Sequence, residues 1–175
     1  MARILIIYST TDGHTMKICQ RLQQAIEEHG HQLVLTSIDE ASSVELEGFD
    51  KIVIGASIRY GKHSPGVYDF IHKNIQILKS KRNAFFTVNV VARKPHKNQP
   101  DTNPYLKKFL RQIAWKPENL AVFAGKINYQ LYSFRDRTMI RFIMWITKGP
   151  TDLNTNIEFT NWDRVDNFAQ TISNM

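Results

Sequence analysis

Residues 3–15, RILIIYSTTDGHT, join a short apolar segment to a turn rich in hydroxyl groups, and this junction decides the fold class. The run from Arg3 to Tyr8 is apolar and rich in isoleucine, as in a strand buried on both faces of a parallel sheet. The Ser-Thr-Thr-Asp-Gly cluster after it is typical of a tight turn. A helix pattern follows and Gly30 ends it; the apolar face contains Ile18, Leu22, Ala25 and Ile26.

The alternation of strand and helix continues along the chain. Further strands are predicted over 31–37, 51–55, 83–91, 120–127 and, briefly, 157–160. Helices are predicted from Ser64-Pro65 through Leu78, over about 104–114 and over 162–172. Alternating units of this kind imply a parallel sheet with helices on both faces. We therefore expect one α/β domain over 1–175, a flavodoxin-like three-layer sandwich with a five-stranded parallel sheet, rather than a six-stranded dinucleotide fold.

Length and composition exclude several classes of protein. The chain has 175 residues, 42% of them hydrophobic and 22% charged, which argues against disorder and against a coiled coil. No apolar run approaches the roughly 18 residues of a membrane-spanning helix, and no secretory signal is visible, so we expect an intracellular protein. The single cysteine, Cys19, excludes a disulfide framework and a site built from several thiolates.

The charge is distributed unevenly along the chain. Residues 1–50 contain three basic and eight acidic side chains, a net charge of −5, whereas residues 51–175 contain 20 basic and eight acidic ones, a net charge of +12. Such a field favours an anionic partner: nucleic acid, anionic lipid, or a carboxylate or phosphate ligand. A solvated lysine surface is the alternative. No nucleic-acid-binding motif is present, so a nucleic acid partner is not predicted.

The loop after the first strand has the chemistry of a phosphate site. Its hydroxyl groups and the free amides of the following helix N-terminus suit a phosphate monoester. The residues are Ser9, Thr10, Thr11, Asp12, Gly13, His14 and Thr15. We expect the carboxylate of Asp12 to point away or to cap a local turn, because it would repel phosphate. An ordinary capping loop is the alternative. Neither GxxxxGK[ST] nor GxGxxG occurs, and the six histidines show no spacing typical of a metal site, so no metal is predicted.

Several segments together resemble a known family. They are the first loop, Ile54–Gly61 (IGASIRYG), Thr87–Pro95 (TVNVVARKP), Thr151-Asp152 and Phe159–Trp162 (FTNW). The chain is similar over its whole length to the bacterial quinone-dependent protoporphyrinogen IX dehydrogenases of the flavodoxin superfamily. The resemblance implies an FMN cofactor, oxidation of protoporphyrinogen IX to protoporphyrin IX in haem synthesis, and transfer of the electrons to menaquinone or ubiquinone.

The resemblance and the position of the loops also imply the cofactor-binding residues. Besides the first loop they are Ala56, Ser57, Ile58, Arg59, Tyr60, Asn89, Val90, Val91, Ala92 and Arg93. The small residues Gly55, Ala56 and Ser57 let a flat ring approach the backbone closely. Tyr60 either stacks on the flavin ring or is a half-buried surface tyrosine. The loop after the fourth strand lacks the bulky aromatic residue of electron-carrier flavodoxins, which leaves one face of the flavin open to a large flat substrate.

An insertion over about 126–150 interrupts the predicted fifth strand and contains a helix over 135–148. At 100° per residue the apolar side chains of Met139, Ile140, Phe142, Ile143 and Ile146 fall within one broad arc; the helix carries Arg137, Arg141 and Lys148 opposite and Trp145 at the border. This arrangement is typical of a helix that lies in a membrane interface. We therefore expect Arg137, Arg141, Phe142, Ile143 and Trp145 to contact membrane or substrate. A helix packed on its own domain is the alternative.

These features predict a flavoprotein oxidoreductase that is cytoplasmic and attached peripherally to the cytoplasmic face of the inner membrane. The substrate's propionate groups need cations, and Arg59, Arg93, Arg137 and Arg141 are the candidates. Two alternatives stay open. One is a flavodoxin-type electron carrier or NAD(P)H:quinone reductase, and the other is a non-enzymatic module that depends on FMN.

Overall fold

A five-stranded parallel sheet forms the centre of the molecule in a computed structural model that describes residues 1–175. The strands are β1 (Arg3–Ser9), β2 (Gln32–Ser37), β3 (Lys51–Ser57), β4 (Arg82–Asn89) and β5 (Asn119–Ala124), and their order is β2-β1-β3-β4-β5. The chain moves from β1 to one side and then crosses to the other, so strand order reverses between β1 and β3. A crevice forms at the carboxyl ends of the strands at such a point.

Helices cover both faces, which confirms the predicted three-layer sandwich. The helix α1 (His14–Glu28) and the last helix, α6 (Trp162–Asn174), pack against each other on one face. The segments α2 (Pro65–Lys73), α3 (Ile75–Ser80) and α4 (Pro104–Gln112) cover the other face. Alternate residues of β1 enter separate cores: Ile4 and Ile6 pack with α1, whereas Leu5 and Ile7 pack on the opposite side. Both faces of the strand are buried, which explains its uninterrupted hydrophobicity.

At two of the predicted boundaries that are wrong, an asparagine side chain competes for backbone groups. A third, the predicted extension of the fifth strand to Ile127, is wrong because that strand ends at Ala124. The single helix predicted through Leu78 is divided at Asn74, whose side-chain amide donates to the Phe70 carbonyl at 2.9 Å. The strand predicted to reach Val91 ends at Asn89, and Val90–Arg93 form a 3₁₀ turn. The Asn89 side-chain oxygen caps this turn by accepting a hydrogen bond from the Ala92 amide at 3.1 Å.

The predicted insertion is present and has its own small sheet and core. The fifth strand stops before Gly125, and β6 (Lys126–Asn128) pairs antiparallel with β7 (Asn156–Glu158) instead of continuing the main sheet. Between them lies α5 (Phe134–Ile146). Met144 of this helix is buried in a cluster with Ile127, Tyr129 and Tyr132, and Ile140 and Ile143 of the helix also contact the cluster. No helix of the protein combines the length and the apolar character that crossing a membrane requires.

The two faces of α5 differ from the prediction. The inward face contains Ile140, Ile143, Met144 and Thr147, and it also contains Arg137, whose guanidinium donates to the carbonyls of Tyr129 (3.2 Å) and Tyr132 (3.4 Å). The outward face contains Met139, Phe142, Trp145 and Ile146, all at least 49% exposed. The predicted apolar arc is therefore split between two environments. Because apolar residues occur on both sides of this helix, periodicity alone could not identify the buried side.

Candidate functional site

A cavity of about 320 Å³ opens at the carboxyl ends of β1, β3 and β4, where strand order reverses. The three loops predicted to bind a ligand line it, and the inward side of α5, the helix predicted to contact membrane or substrate, forms a further wall. The predicted residues found in the lining are Thr10, Thr11, Asp12, Gly13, His14, Thr15, Ser57, Ile58, Arg59, Tyr60, Asn89, Val90, Val91, Arg93 and Ile143. The volume lies within the usual range of small-molecule sites.

The first loop presents the N-terminus of α1 to this cavity. Gly13 adopts φ 84°, a left-handed conformation that glycine tolerates, and its amide is held by the Thr10 hydroxyl at 3.0 Å. The first backbone hydrogen bond of the helix runs from the Lys17 amide to the Gly13 carbonyl at 3.2 Å. The amides of His14, Thr15 and Met16 precede it and have no partner in the helix. The positive end of the helix dipole and these free donors favour an anion.

The hydroxyl of Thr15 gives an independent indication of a ligand. The residue is fully buried, and its Oγ1 has no hydrogen-bond partner in the protein. An unpaired buried hydroxyl costs about 1–3 kcal/mol, so it is normally satisfied by protein, water or ligand. Thr15 lies in the first turn of α1 and lines the cavity. A phosphate group at the helix N-terminus would accept this hydrogen bond, so the residues present fit a phosphorylated cofactor.

His14, the first residue of α1, lines the cavity and is held by Thr160, in the segment between β7 and α6. Thr160 Oγ1 donates to the Ala124 carbonyl at 2.7 Å, so the His14 Nε2 atom, 2.6 Å from the same oxygen, must be the donor in that contact. Burial and the nearby Lys17 and Lys126 lower the pKa of His14, with Glu158 acting in the opposite direction. The imidazole is therefore neutral near pH 7 and keeps Nδ1 as an acceptor.

A tight turn after β3 positions Arg59 and Tyr60. Arg59 and Lys62 exchange backbone hydrogen bonds of 2.9 and 3.1 Å, with φ 52° at Tyr60 and φ 75° at Gly61 between them. These values describe a type I′ turn, which normally has glycine or asparagine at the first central position. A tyrosine there is strained. Its retention at the mouth of a cavity is typical of a functional site.

Arg59, in the turn after β3, contacts both the first loop and the insertion at the mouth of the cavity. Its guanidinium donates to the Asp12 carboxylate and lies 5.2 Å from the centre of the Tyr132 ring in the insertion. Asp12 lines the cavity, and its carboxylate pairs with Arg59 instead of capping a local turn. Burial raises the pKa of Asp12, and Arg59 opposes that rise. The ion pair neutralises the carboxylate that would otherwise repel phosphate.

Tyr60 contacts the insertion rather than packing in the cavity. Its ring is 48% exposed, and its hydroxyl donates to the carboxylate of Asp136 in the first turn of α5. This hydrogen bond raises the pKa of Tyr60 and lowers the pKa of Asp136. The turn after β3 is thus attached to the outer wall of the cavity.

The loop after β4 is fixed from below by a buried amide pair. Asn89 Oδ1 accepts from Asn103 Nδ2 at 3.1 Å and from the Ala92 amide at 3.1 Å. Asn103 in turn caps α4 by accepting from the Leu106 amide at 3.1 Å. Above this pair, Val90 and Val91 line the cavity without a bulky aromatic side chain. The loop is therefore rigid, and it leaves room for a flat ligand.

Some predicted contacts are absent from the cavity lining. Ser9, Ala56 and Ala92 are buried beneath the loops, and their contribution is to packing or to the backbone. The absence of a side chain at Gly55 makes room for the Phe86 ring and not for a ligand. A Cβ at this position would lie 2.1 Å from that ring. In the insertion, Arg137 is engaged by backbone carbonyls, whereas Arg141, Phe142 and Trp145 are exposed and do not line the cavity.

Other lining residues were missed. They are Lys17, Gly61, Val88, Tyr105, Gly125, Lys126, Asn128, Leu131, Tyr132, Ile140, Met144 and Thr147. Lys126 follows the carboxyl end of β5 and could have been recognised by that position, because ligands of open parallel sheets bind beyond the carboxyl ends of the strands. No comparable signal in the sequence pointed to Ile140, Met144 and Thr147 on the inward side of the insertion helix. Four cations, Lys17, Arg59, Arg93 and Lys126, line the cavity against one carboxylate, Asp12. The cavity therefore attracts anions.

Other reactive groups lie elsewhere or are inert. Cys19 is fully buried in the core under α1, and burial raises the pKa of its thiol, as expected of a structural cysteine. No three His, Cys, Asp or Glu side chains are grouped so that they could hold a metal ion.

Comparison with solved structures identifies the fold. The chain superposes on flavodoxin 2 from Bacillus cereus with a TM-score of 0.58 and 18% identity, covering 99% of each chain. An archaeal flavodoxin matches with a TM-score of 0.53 and 13% identity over 98% of this chain and 96% of the other. These likenesses confirm the flavodoxin-like fold.

Sequence comparison is more specific. The flavodoxin domain family matches residues 5–154. The chain is 39% identical to the protoporphyrinogen IX dehydrogenase [quinone] of Escherichia coli (strain K12), over 99% of this chain and 96% of the relative. It is 40% identical to the protein of the same name from Leishmania major, over 95% of this chain and 73% of that relative. The chain therefore belongs to the family of quinone protoporphyrinogen IX dehydrogenases, oxidoreductases built on a flavodoxin domain.

Proposed function

We propose that this protein binds FMN and oxidises protoporphyrinogen IX to protoporphyrin IX, passing the electrons to a respiratory quinone such as menaquinone. The fold and the family imply a flavin cofactor. The assignment of this flavin as FMN rests on the Thr15 hydroxyl, which is buried without a partner beside the free amides of α1. A flavin with a terminal phosphate satisfies both.

The residues of the cavity divide into three groups by role. Thr10, Thr11, Thr15 and the first amides of α1 would hold the phosphate. The backbone of the turns after β3 and β4 would hold the ring system, whose bound form accepts hydrogen from the substrate and passes the electrons on. The insertion, through Tyr132, Ile140 and Met144, supplies an apolar wall that excludes water from the cavity.

The substrate's carboxylates would pair with cations at the cavity. Of the predicted candidates, Arg137 is engaged by two carbonyls and Arg93 by the carbonyls of Val90 and Thr147. Lys126 lines the cavity and forms no ion pair, and Arg59 can exchange Asp12 for a substrate carboxylate. Lys126 and Arg59 therefore replace Arg93 and Arg137 as our candidates for propionate binding.

We further propose that the outward face of α5 attaches the protein to the cytoplasmic face of the inner membrane. Met139, Phe142, Trp145 and Ile146 are exposed together, and Arg135, Arg141 and Lys148 are exposed on and beside this stripe. Exposed apolar side chains with flanking cations are complementary to an anionic lipid surface. A lipid-soluble quinone would then be delivered near the cavity. Arg141, Phe142 and Trp145 keep their expected membrane role, whereas Ile143 belongs to the cavity wall.

The proposal is tested by anaerobic mixing of the flavin-loaded protein with protoporphyrinogen IX. We expect the absorption of the oxidised flavin to bleach and menaquinone to restore it. NADPH serves as the comparison reductant. Bleaching by NADPH and not by protoporphyrinogen would favour an NAD(P)H:quinone reductase, and no bleaching by either would leave an electron carrier or a binding module.

A further inference from the structure

A second cavity, of about 390 Å³, opens between α2 and α4 beside the first. Its walls are the rings of His63, Tyr68, Tyr105 and Phe109, and exposed polar side chains, among them Lys108 and Gln112, form its rim. Gly61 and Tyr105 line both cavities, so the two are direct neighbours. The role proposed above for the first cavity does not use this one.

The wall of the second cavity contains a buried imidazole with one unused nitrogen. His63 is 3% exposed and packs against the rings of Phe85 and Phe109, at centroid distances of 5.6 and 4.5 Å. Its Nε2 lies 3.0 Å from the hydroxyl oxygen of Thr87, and Nδ1 has no partner. The buried polar atoms that lack any partner are Thr15 Oγ1, Trp115 Nε1 and Ser173 Oγ, so Nδ1 retains access to the cavity.

The hydrogen bonds around Thr87 identify the tautomer of His63. Thr87 is fully buried, and its Oγ1 accepts from Asn89 Nδ2 at 3.5 Å. Its own hydroxyl hydrogen has no acceptor other than His63 Nε2. Because Nε2 therefore accepts, the single proton of the neutral ring is on Nδ1. Burial lowers the pKa of His63 to about 3, so the ring stays neutral at physiological pH. The cavity thus has aromatic walls and one N–H donor that has no acceptor within the protein.

We propose that this second cavity binds the head group of the quinone acceptor. A planar ring can pack against the aromatic side chains that line the cavity, and a quinone carbonyl supplies an acceptor for His63 Nδ1–H, which has none within the protein. The inference rests on the proposed function, since it names the site where that reaction's acceptor binds. The quinone takes up two electrons and two protons and becomes the quinol; the same electrons and protons are those removed from the porphyrinogen in one round.

A separate quinone site has a kinetic consequence. A porphyrinogen in the first cavity does not have to leave before the quinone binds in the second. Shared walls at Gly61 and Tyr105 keep the quinone close to the first cavity. The rim cations do not contact the neutral quinone ring, so binding should depend little on salt.

The first test observes His63 directly. The protein, loaded with oxidised flavin and carrying ¹⁵N-labelled histidine, is titrated with menadione as a soluble naphthoquinone probe, with no reductant present. We expect the free protein to show a proton on Nδ1 of His63, and menadione to shift that signal in a saturable manner. A proton on Nε2 would overturn the proposal, and so would a signal that stays unchanged at menadione concentrations well above the KM measured in a separate turnover assay.

The second test fills the cavity from its rim. Gln112→Trp places an indole at the opening, and Arg111→Trp, one position along α4 and outside the cavity lining, is the matched control. We expect Gln112→Trp to raise the KM for menadione at least tenfold while the rate of flavin bleaching by protoporphyrinogen stays within twofold of the parent. Equal menadione KM values in the two variants would exclude this site. If protoporphyrinogen IX does not bleach the flavin of the parent protein, the proposed function itself is refuted.

Discussion

The guanidinium Nη2 of Arg93 lies 3.1 Å from the Thr147 carbonyl oxygen and 3.3 Å from its hydroxyl oxygen, so the loop after β4 is bonded directly to the end of the insertion helix. Nη1 of the same group donates to the Val90 carbonyl at 3.1 Å. Arg93 therefore joins the predicted ring-binding loop to the wall that encloses it. Arg93 lines the cavity, as predicted, and these hydrogen bonds give it a structural role as well.

Replacing Arg93 with alanine should loosen the insertion. The change removes three hydrogen bonds at a half-buried site, each worth about 0.5–1.5 kcal/mol. We expect the free energy of unfolding in urea to fall by about 1.5–4.5 kcal/mol and proteolysis between 126 and 150 to accelerate. Arg141→Ala is the control, because that exposed arginine forms no hydrogen bond or ion pair and should change stability by less than about 0.5 kcal/mol.

Gly149→Ala tests the same connection without removing a charge. A Cβ at this position would lie 2.8 Å from Arg93 Nη2 and 2.6 Å from Met144 Sδ, so both side chains must shift. We expect faster proteolysis of the insertion here too. An insertion equally resistant in the parent, Arg93→Ala and Gly149→Ala would show that Arg93 does not hold it.

Replacing Thr15 with valine should separate cofactor binding from stability. Valine keeps the shape of threonine and removes a hydroxyl that has no partner within the protein. The apoprotein should therefore be as stable as the parent or more stable, whereas FMN should bind at least tenfold more weakly, since a charge-assisted hydrogen bond is worth about 1.5–3 kcal/mol. Thermal unfolding of the apoprotein and fluorescence titration with FMN measure the two effects.

Thr171→Val on the exposed side of α6 is the control and should leave FMN affinity unchanged. FMN affinity that survives in Thr15→Val would mean that the phosphate lies elsewhere. Riboflavin, which lacks the phosphate, should bind Thr15→Val and the parent equally.

The sequence predicted the sheet and the first loop because both depend on local patterns. A continuous apolar strand followed by hydroxyl residues and glycine predicts a turn at a helix N-terminus, and Thr15 lies where that pattern puts it. The partners of Asp12 and Tyr60 were not predictable, since Arg59 and Asp136 approach them only when the loops and the insertion pack together. The buried side of α5 was not predictable either, because its apolar residues occupy both sides.

The stability of the protein should fall between pH 6.5 and about 5 partly because of His63. Burial lowers its pKa to about 3 in the folded protein, whereas an unfolded histidine titrates near 6.5. Between these values the unfolded chain binds the additional proton, so stability rises with pH by up to about 1.4 kcal/mol per unit. His63→Phe should flatten this dependence relative to the parent. Urea unfolding at pH 5.0, 5.5, 6.0 and 6.5 measures it, and identical slopes in the two proteins would contradict the assignment.

The exposed face of α5 should bind anionic bilayers. Phe142 and Trp145 are 53% and 70% exposed, with ring centroids 6.2 Å apart, and burial of each side chain contributes about 1.5–3 kcal/mol. Arg135, Arg141 and Lys148 add about 1 kcal/mol each near anionic headgroups. The 13-residue helix is about 20 Å long, shorter than the roughly 30 Å hydrocarbon core, so it should lie in the interface.

Phe142→Glu combined with Trp145→Glu should therefore release the protein from vesicles that contain anionic phospholipid and slow the reduction of membrane-embedded menaquinone. FMN binding should persist, because neither residue lines the cavity. Ile143 is left unchanged because it lines the cavity, and its replacement would confuse release from the membrane with loss of the site.

Val34→Glu is the control, since Val34 is 42% exposed on β2, at the sheet edge opposite β5. Raising the salt concentration should weaken the parent's binding only partly, because the apolar contribution is not screened. If the double variant sediments with vesicles as efficiently as Val34→Glu does, α5 only encloses the cavity and does not bind the membrane.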